Sequence, residues 1–406
     1  MFTIDSGTGT GDLAIRIGSG STDVSTPSLG SFGGGIPCAG SAGACRPGSS
    51  VGFFPAANGT VNLPAVDFNL RGSLTIDAPG PAGTIIVGHI ATQGGNVSVT
   101  APGGVITGNV QIGNGAANLS ATNGALTTIN VQAPQGVTLS AAGAVQAANV
   151  DVASGPGPVT ITGGSLQTLN VAAPSNMVTL GAASGNLGVG NVHGGLGVTV
   201  ASAPANGTMG AIDSGIAGFQ LGSPGARIPG AVALGAVTAN GNVGIYANGT
   251  ITTGFIAAAS SNVRVDGLGN VTVGGASLSS NANAAAVSFH AGSGLTVNGP
   301  VTVAAAGGAN DASFIAHAAG GVVLNGAIAV TTTGVSVASA VVDVSASNGT
   351  LAVNANVTAS AANGSSALID IGTPTAAISS STGTCSRPHS PRPRSTCAPT
   401  GRAASR

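Results

Sequence analysis

Residues 149–169 read NVDVASGPGPVTITGGSLQTL. Val150 and Val152 alternate with Asn149 and Asp151, the period-two pattern of a strand with one buried face. Gly155 and Gly157 then turn the chain, Val159 and Ile161 alternate again, and Gly163-Gly164 makes the next turn. Leu166 and Leu169 supply a third apolar face. Three short strands and three turns describe one coil of a parallel β-solenoid, with Gly and Asn expected at corners that need positive φ. Coils in such a stack lie about 4.8 Å apart, which sets each Val on its counterpart in the next coil.

The unit recurs. Asn-Val pairs begin at Asn109, Asn130, Asn149, Asn170 and Asn191, spaced 21, 19, 21 and 21. Leu126, Val145, Leu166 and Leu187 keep step with them, and Asn118-Leu119-Ser120, Val137-Thr138-Leu139, Val159-Thr160-Ile161 and Val178-Thr179-Leu180 mark a strand between. His89-Ile90 fits one more copy upstream, with His89 in the asparagine position. Repetition at a fixed period is the signature of a solenoid. A second array follows, in which the segments ending at Asn298, Asn325 and Asn354 are 27 and 29 residues apart.

The fold expected is therefore all-β, a right-handed parallel β-helix with coils of about 20 and then about 27 residues. Residues 1–88 read as its irregular, β-rich beginning and 89–212 as the first array. Residues 213–240 read as an irregular break, 241–383 as the second array and 384–406 as a disordered basic tail.

Composition agrees and excludes. The 406 residues include 69 Gly and 11 Asp, all 10 cationic side chains are Arg, and Lys, Glu and Trp are absent. Without Glu and Lys a helical fold has little support. P-loop, Schiff-base, HExxH and EF-hand chemistries are excluded for want of their key residue. No apolar run approaches the length of a membrane helix. Residues 1–380 hold all 11 Asp and five Arg, whereas the last 26 hold five Arg and no acid.

Imperfect coils of this length, rich in Gly, Ala, Val, Asn and Thr and nearly free of charge, resemble the filamentous haemagglutinin family of bacterial exoproteins, with relatives among autotransporter passengers. The resemblance rests on pattern over 89–212 and 241–372. It implies a right-handed β-helix that is secreted or displayed at the bacterial surface, export through an outer-membrane transporter as a two-partner secretion substrate, and adhesion. The implied partners are a host-cell glycan or matrix receptor, or neighbouring bacterial cells. Met1-Phe2-Thr3-Ile4-Asp5 has neither the basic region nor the apolar core of a signal peptide, so none is expected in this chain. Two alternatives stand beside the adhesin shaft: a polysaccharide-active β-helix lyase or hydrolase, and a truncated fragment without independent function.

Candidate sites are few. Asn109, Asn130, Asn149, Asn170 and Asn191 read as a structural asparagine ladder, with amides bonded from coil to coil. His290 and His317 are one long coil apart, and Phe289 and Phe314 suggest that both imidazoles face outward. Zinc would need a third and usually a fourth ligand, and Asp311 is the only nearby candidate, so no metal is assigned. The Asp residues look scattered, Arg264 and Asp266 read as a simple ion pair, and no GxSxG elbow occurs. No catalytic residue and no cofactor are therefore assigned.

Cys38 and Cys45 could close a small disulfide loop, with incidental thiols as the equal alternative. The Arg/Pro/Ser tail cannot continue a β-ladder. It reads as a disordered end or an out-of-frame translation, and no nucleic-acid partner is assigned.

Overall fold

A computed structural model describes residues 60–64, 68–70, 72–78, 80–152, 155–201, 204–259, 262–281, 283–306, 310–333, 338–362 and 366–372, with short strands at 13–15, 24–25 and 51–53. Cys38, Cys45 and residues 373–406 lie outside these. The described residues form strands and turns without any helix, and the strands stack in parallel as a β-solenoid. The chain divides into two units, Met1–Ala239 and Asn240–Arg406.

In unit 1 each coil has three faces. The strands Val97–Ala101, Ala117–Ala121, Val137–Ala141, Val159–Gly163, Met177–Ala182, Gly197–Val200 and Gly218–Leu221 stack as the first face. The second and third faces begin as separate strands, Gly104–Ile106 and Val110–Ile112, and join into one bent strand at Ala144–Asp151, Ser165–Ala173 and Leu187–Gly194. Register is strict: Val99, Leu119, Leu139, Ile161, Leu180, Val200 and Leu221 form one column. These side chains are 5% exposed or less, so each adds about 1.5–3 kcal/mol of burial, and adjacent columns complete the apolar interior.

Several expectations change. Leu169 does not line a third face; it projects from the corner between the second and third faces and is 62% exposed, while Leu166 and Val171 point inward. Residues 213–240 are not a break in the stack. Ile212–Ser214, Gly218–Leu221, Val232–Leu234 and Val237–Ala239 pair with the coil before them, and the apparent loss of register is the longer turn between Leu221 and Val232. Unit 2 does not keep one long period either. The separation between equivalent residues is 20 at Asn242 and Asn262, 24 at Asn270 and Gly294, and 27 to 29 afterwards. The added residues enter turns, because the paired strands keep their register.

Corner glycines serve contact more than conformation. Positive φ occurs at Gly80, Gly95, Gly136, Gly218, Gly222 and Gly275 among the described residues. A Cβ added at Gly103 would lie 2.8 Å from the Gly83 carbonyl oxygen, one at Gly143 would lie 2.9 Å from that of Gly124, and one at Gly124 would overlap that of Gly103. The backbone of one coil therefore occupies the space a side chain would need on the next.

This gives a direct test. Gly124→Ala should destabilise unit 1 by about 1–3 kcal/mol in urea unfolding, because the overlap is with backbone and not with a yielding side chain. Gly225→Ala, where a Cβ meets nothing within 4 Å, should leave the midpoint unchanged.

Candidate functional site

The asparagine ladder runs along the third face of unit 1. Nδ2 of Asn130 donates to Oδ1 of Asn109 at 2.8 Å, Asn149 to Asn130 at 2.6 Å, Asn170 to Asn149 at 2.7 Å and Asn191 to Asn170 at 3.1 Å. Both ends are held. The Asn109 backbone N–H donates to Nδ1 of His89 at 2.9 Å, and Asn191 Oδ1 accepts the backbone N–H of Ala211 at 3.3 Å. Unit 2 has a second ladder that the spacing of Asn298, Asn325 and Asn354 foreshadowed: Asn325 donates to Asn298 at 3.2 Å, and Asn354 to Asn325 at 2.8 Å.

Beside the end of the first ladder lies a shallow cleft of about 500 Å³, within the size range of small-ligand sites. Ala211 and Ala236 follow Asn170 and Asn191 along its wall and, being small, leave the space open. His193, Asp213 and Thr238 line the other side. His193 Nδ1 is 2.9 Å from Asp213 Oδ2 on the next coil, and both side chains are substantially exposed. A carboxylate that orients an imidazole is half of a hydrolytic triad. In register, however, Ala172 stands on the far side of His193 and Thr238 stands beyond Asp213. The in-register neighbour of His193 on the side away from Asp213 is thus an alanine and not a hydroxyl-bearing residue. The sequence reading missed this pair, although a 20-residue separation is one coil.

In unit 2 the charged and titratable groups gather on the outer side of one sheet. Tyr246, Asp266, His290 and His317 form one column, while Arg264, Ser288, Ile315, Asp343 and Asp370 form its neighbour. Arg264 Nη2 pairs with Asp266 Oδ2 at 2.9 Å, and its guanidinium sits 5.8 Å from the centroid of the Tyr246 ring. The His290 and His317 rings meet edge to face with centroids 5.5 Å apart. Both imidazoles face outward over Phe289 and Phe314, which are 0% exposed and contact each other edge to face at 5.7 Å.

The acid beside this histidine pair is Asp343 and not Asp311. Asp343 Oδ2 lies 3.0 Å from His317 Nε2, an ion-pair distance whose angle falls short of a hydrogen bond. Asp311 instead accepts the backbone N–H of Ser339 at 2.6 Å. Among the described residues no three His, Cys or Asp side chains converge on a point that could hold a metal ion.

No protein-family model, no curated protein and no solved structure matches this chain.

Two measurements follow. Asn149→Ala removes two ladder bonds at a partly exposed position and should cost about 1–2 kcal/mol in urea unfolding. Asn149→Asp should cost more, since a carboxylate cannot donate to Asn130 Oδ1 and would repel it. The second concerns acid. Burial lowers the pKa of His290 below 6.5, Arg264 and His317 add to that, and Asp266 and Asp343 oppose it. The unfolded chain takes up that proton more readily than the folded one, so the stability held at neutral pH is lost as pH falls below about 6.5 toward the folded value. Thermal unfolding followed by circular dichroism should show Tm dropping between about pH 7.5 and about pH 5, with a smaller drop for His290→Gln.

Proposed function

We propose that this chain is the structural shaft of a secreted or surface-displayed bacterial adhesin of the filamentous haemagglutinin type, and that its outer faces mediate cell adhesion. The observation that carries the reading is the repetitive, nearly uncharged outer surface of the first face in unit 1. Its outward column runs Ser98, Asn118, Thr138, Thr160, Thr179, Thr199 and Gln220, coil after coil, without one charged residue. Such a surface repeats hydroxyl and amide groups along an axis, which suits extended, multivalent contact with a glycan or matrix surface. An outer-membrane transporter as export partner belongs to the same proposal. Near-absence of charge is compatible with passage as an unfolded chain.

Adhesion is testable with the purified chain on latex beads, scored on epithelial monolayers and on matrix-coated wells. The expected result is retention several-fold above albumin-coated beads, with soluble chain competing. Retention equal to albumin would overturn the reading.

The His193–Asp213 pair in its cleft favours the second reading, a polysaccharide-active enzyme. Release of reducing or unsaturated ends from a panel of plant and bacterial polysaccharides, abolished by Asp213→Asn, would replace the adhesin by that enzyme. No release is expected.

A further inference from the structure

We propose that His290 and His317 form a two-imidazole binding site for a divalent transition-metal ion, of which Zn2+ is the probe, and that the ion clips two adjacent coils of unit 2.

The geometry comes first. The two histidines are direct partners in the parallel ladder between Ala285–Ala291 and Ala312–Ala318, so their Cβ atoms stand about 5 Å apart on one face. The rings already touch, with centroids 5.5 Å apart. Modest χ rotation would bring one nitrogen of each to the separation that a shared ion with bonds of about 2.0–2.1 Å requires. The backbone beneath is fixed: Phe289 and Phe314 are fully buried and packed edge to face. A ligand pair on so firm a base loses little entropy when it closes on an ion.

Carboxylates on the His317 side favour a cation there. Arg264 is the one Arg side chain in the row, and it pairs with Asp266 at 2.9 Å. Asp343 lies 3.0 Å from His317 Nε2, and Asp370 follows it in register on the next strand. The negative charge is thus concentrated on the His317 side of the pair, while Arg264 stands on the His290 side. Asp343 stands beside His317 Nε2, the ring nitrogen left over if Nδ1 binds the ion, and a small rotation would make it the outer carboxylate that ligating histidines commonly have. Imidazole suits zinc, copper and nickel, whereas calcium and magnesium prefer oxygen ligands. Because no third protein ligand converges among the described residues, water would fill the remaining positions. The result is an open, exchangeable clip, unlike the closed cage of a structural zinc site.

The test is Zn2+ titration of the full chain by calorimetry, with the four cysteines alkylated so that thiolates cannot take the ion. One Zn2+ per chain is expected. His290→Gln and His317→Gln should each weaken binding at least about tenfold, because a single imidazole cannot chelate. Asp343→Asn should weaken it as well, by no more than either histidine variant does. His193→Gln should leave it unchanged. Saturating Zn2+ should also raise the Tm of the wild-type chain and not that of His290→Gln. Circular dichroism of each variant separates loss of the site from loss of the fold, and His317→Asn serves as the second variant if His317→Gln misfolds. Two outcomes overturn the proposal: no Zn2+ uptake by the alkylated chain, or uptake that the two histidine variants leave intact.

Discussion

Every residue in a paired strand of this protein has its own equivalent as neighbour, because backbone N–H and C=O groups of one coil are satisfied by the next. The ladders are parallel and keep register through coils of unequal length. A one-residue slip would turn the buried column outward, so the hydrophobic columns and the hydrogen-bond ladder fix each other. That coupling also governs what the outer surface tolerates. A charge placed at one outward position of a perfect repeat would face its copy about 4.8 Å away. Two like charges that close repel by about 1 kcal/mol in water and several-fold more at a protein surface. Thr, Ser, Asn and Gln carry no such penalty, which is consistent with a chain only 5% charged.

The same coupling decides what the sequence reveals. Features that recur at one lag were legible: the Asn-Val pairs, the Leu126–Leu187 column and the ladder of Asn109 to Asn191 all appear where spacing puts them. Features that depend on where a turn is lengthened were not. Residues 222–231 form one longer turn, and to the eye this erased a coil whose strands pair normally. Leu169 shares its apolar character with Leu166 but falls at the corner, and three residues of spacing do not separate a face from its edge. Asp343 was hidden differently. It pairs diagonally with His317, through a column whose direct member is Ile315, and no fixed period connects the two residues.

Glycine illustrates how a correct expectation can rest on the wrong cause. Corners rich in Gly were anticipated for their dihedral freedom, yet at Gly103, Gly124 and Gly143 the requirement is room for the carbonyl of the coil below. The distinction matters for variation. A corner that needs positive φ accepts Asn, whereas a corner closed by backbone accepts neither Asn nor Ala. Chemistry on such a scaffold is confined to outward positions, and there it arises as pairs between neighbouring coils, as at His193–Asp213 and His290–His317. Convergence of three groups would need residues from three coils to lean inward on a flat face.

The asparagine ladder has a polarity that the backbone ladder alone does not enforce. Each amide gives its proton to the coil that precedes it in sequence, so every finished coil shows a vacant acceptor to the segment that comes next. A coil added at the carboxyl side of the row meets amide acceptors, whereas one added at the amino side meets amide N–H donors. The two ends of the row therefore differ in kind, one offering oxygen and the other N–H, so only unlike ends of two such rows are complementary.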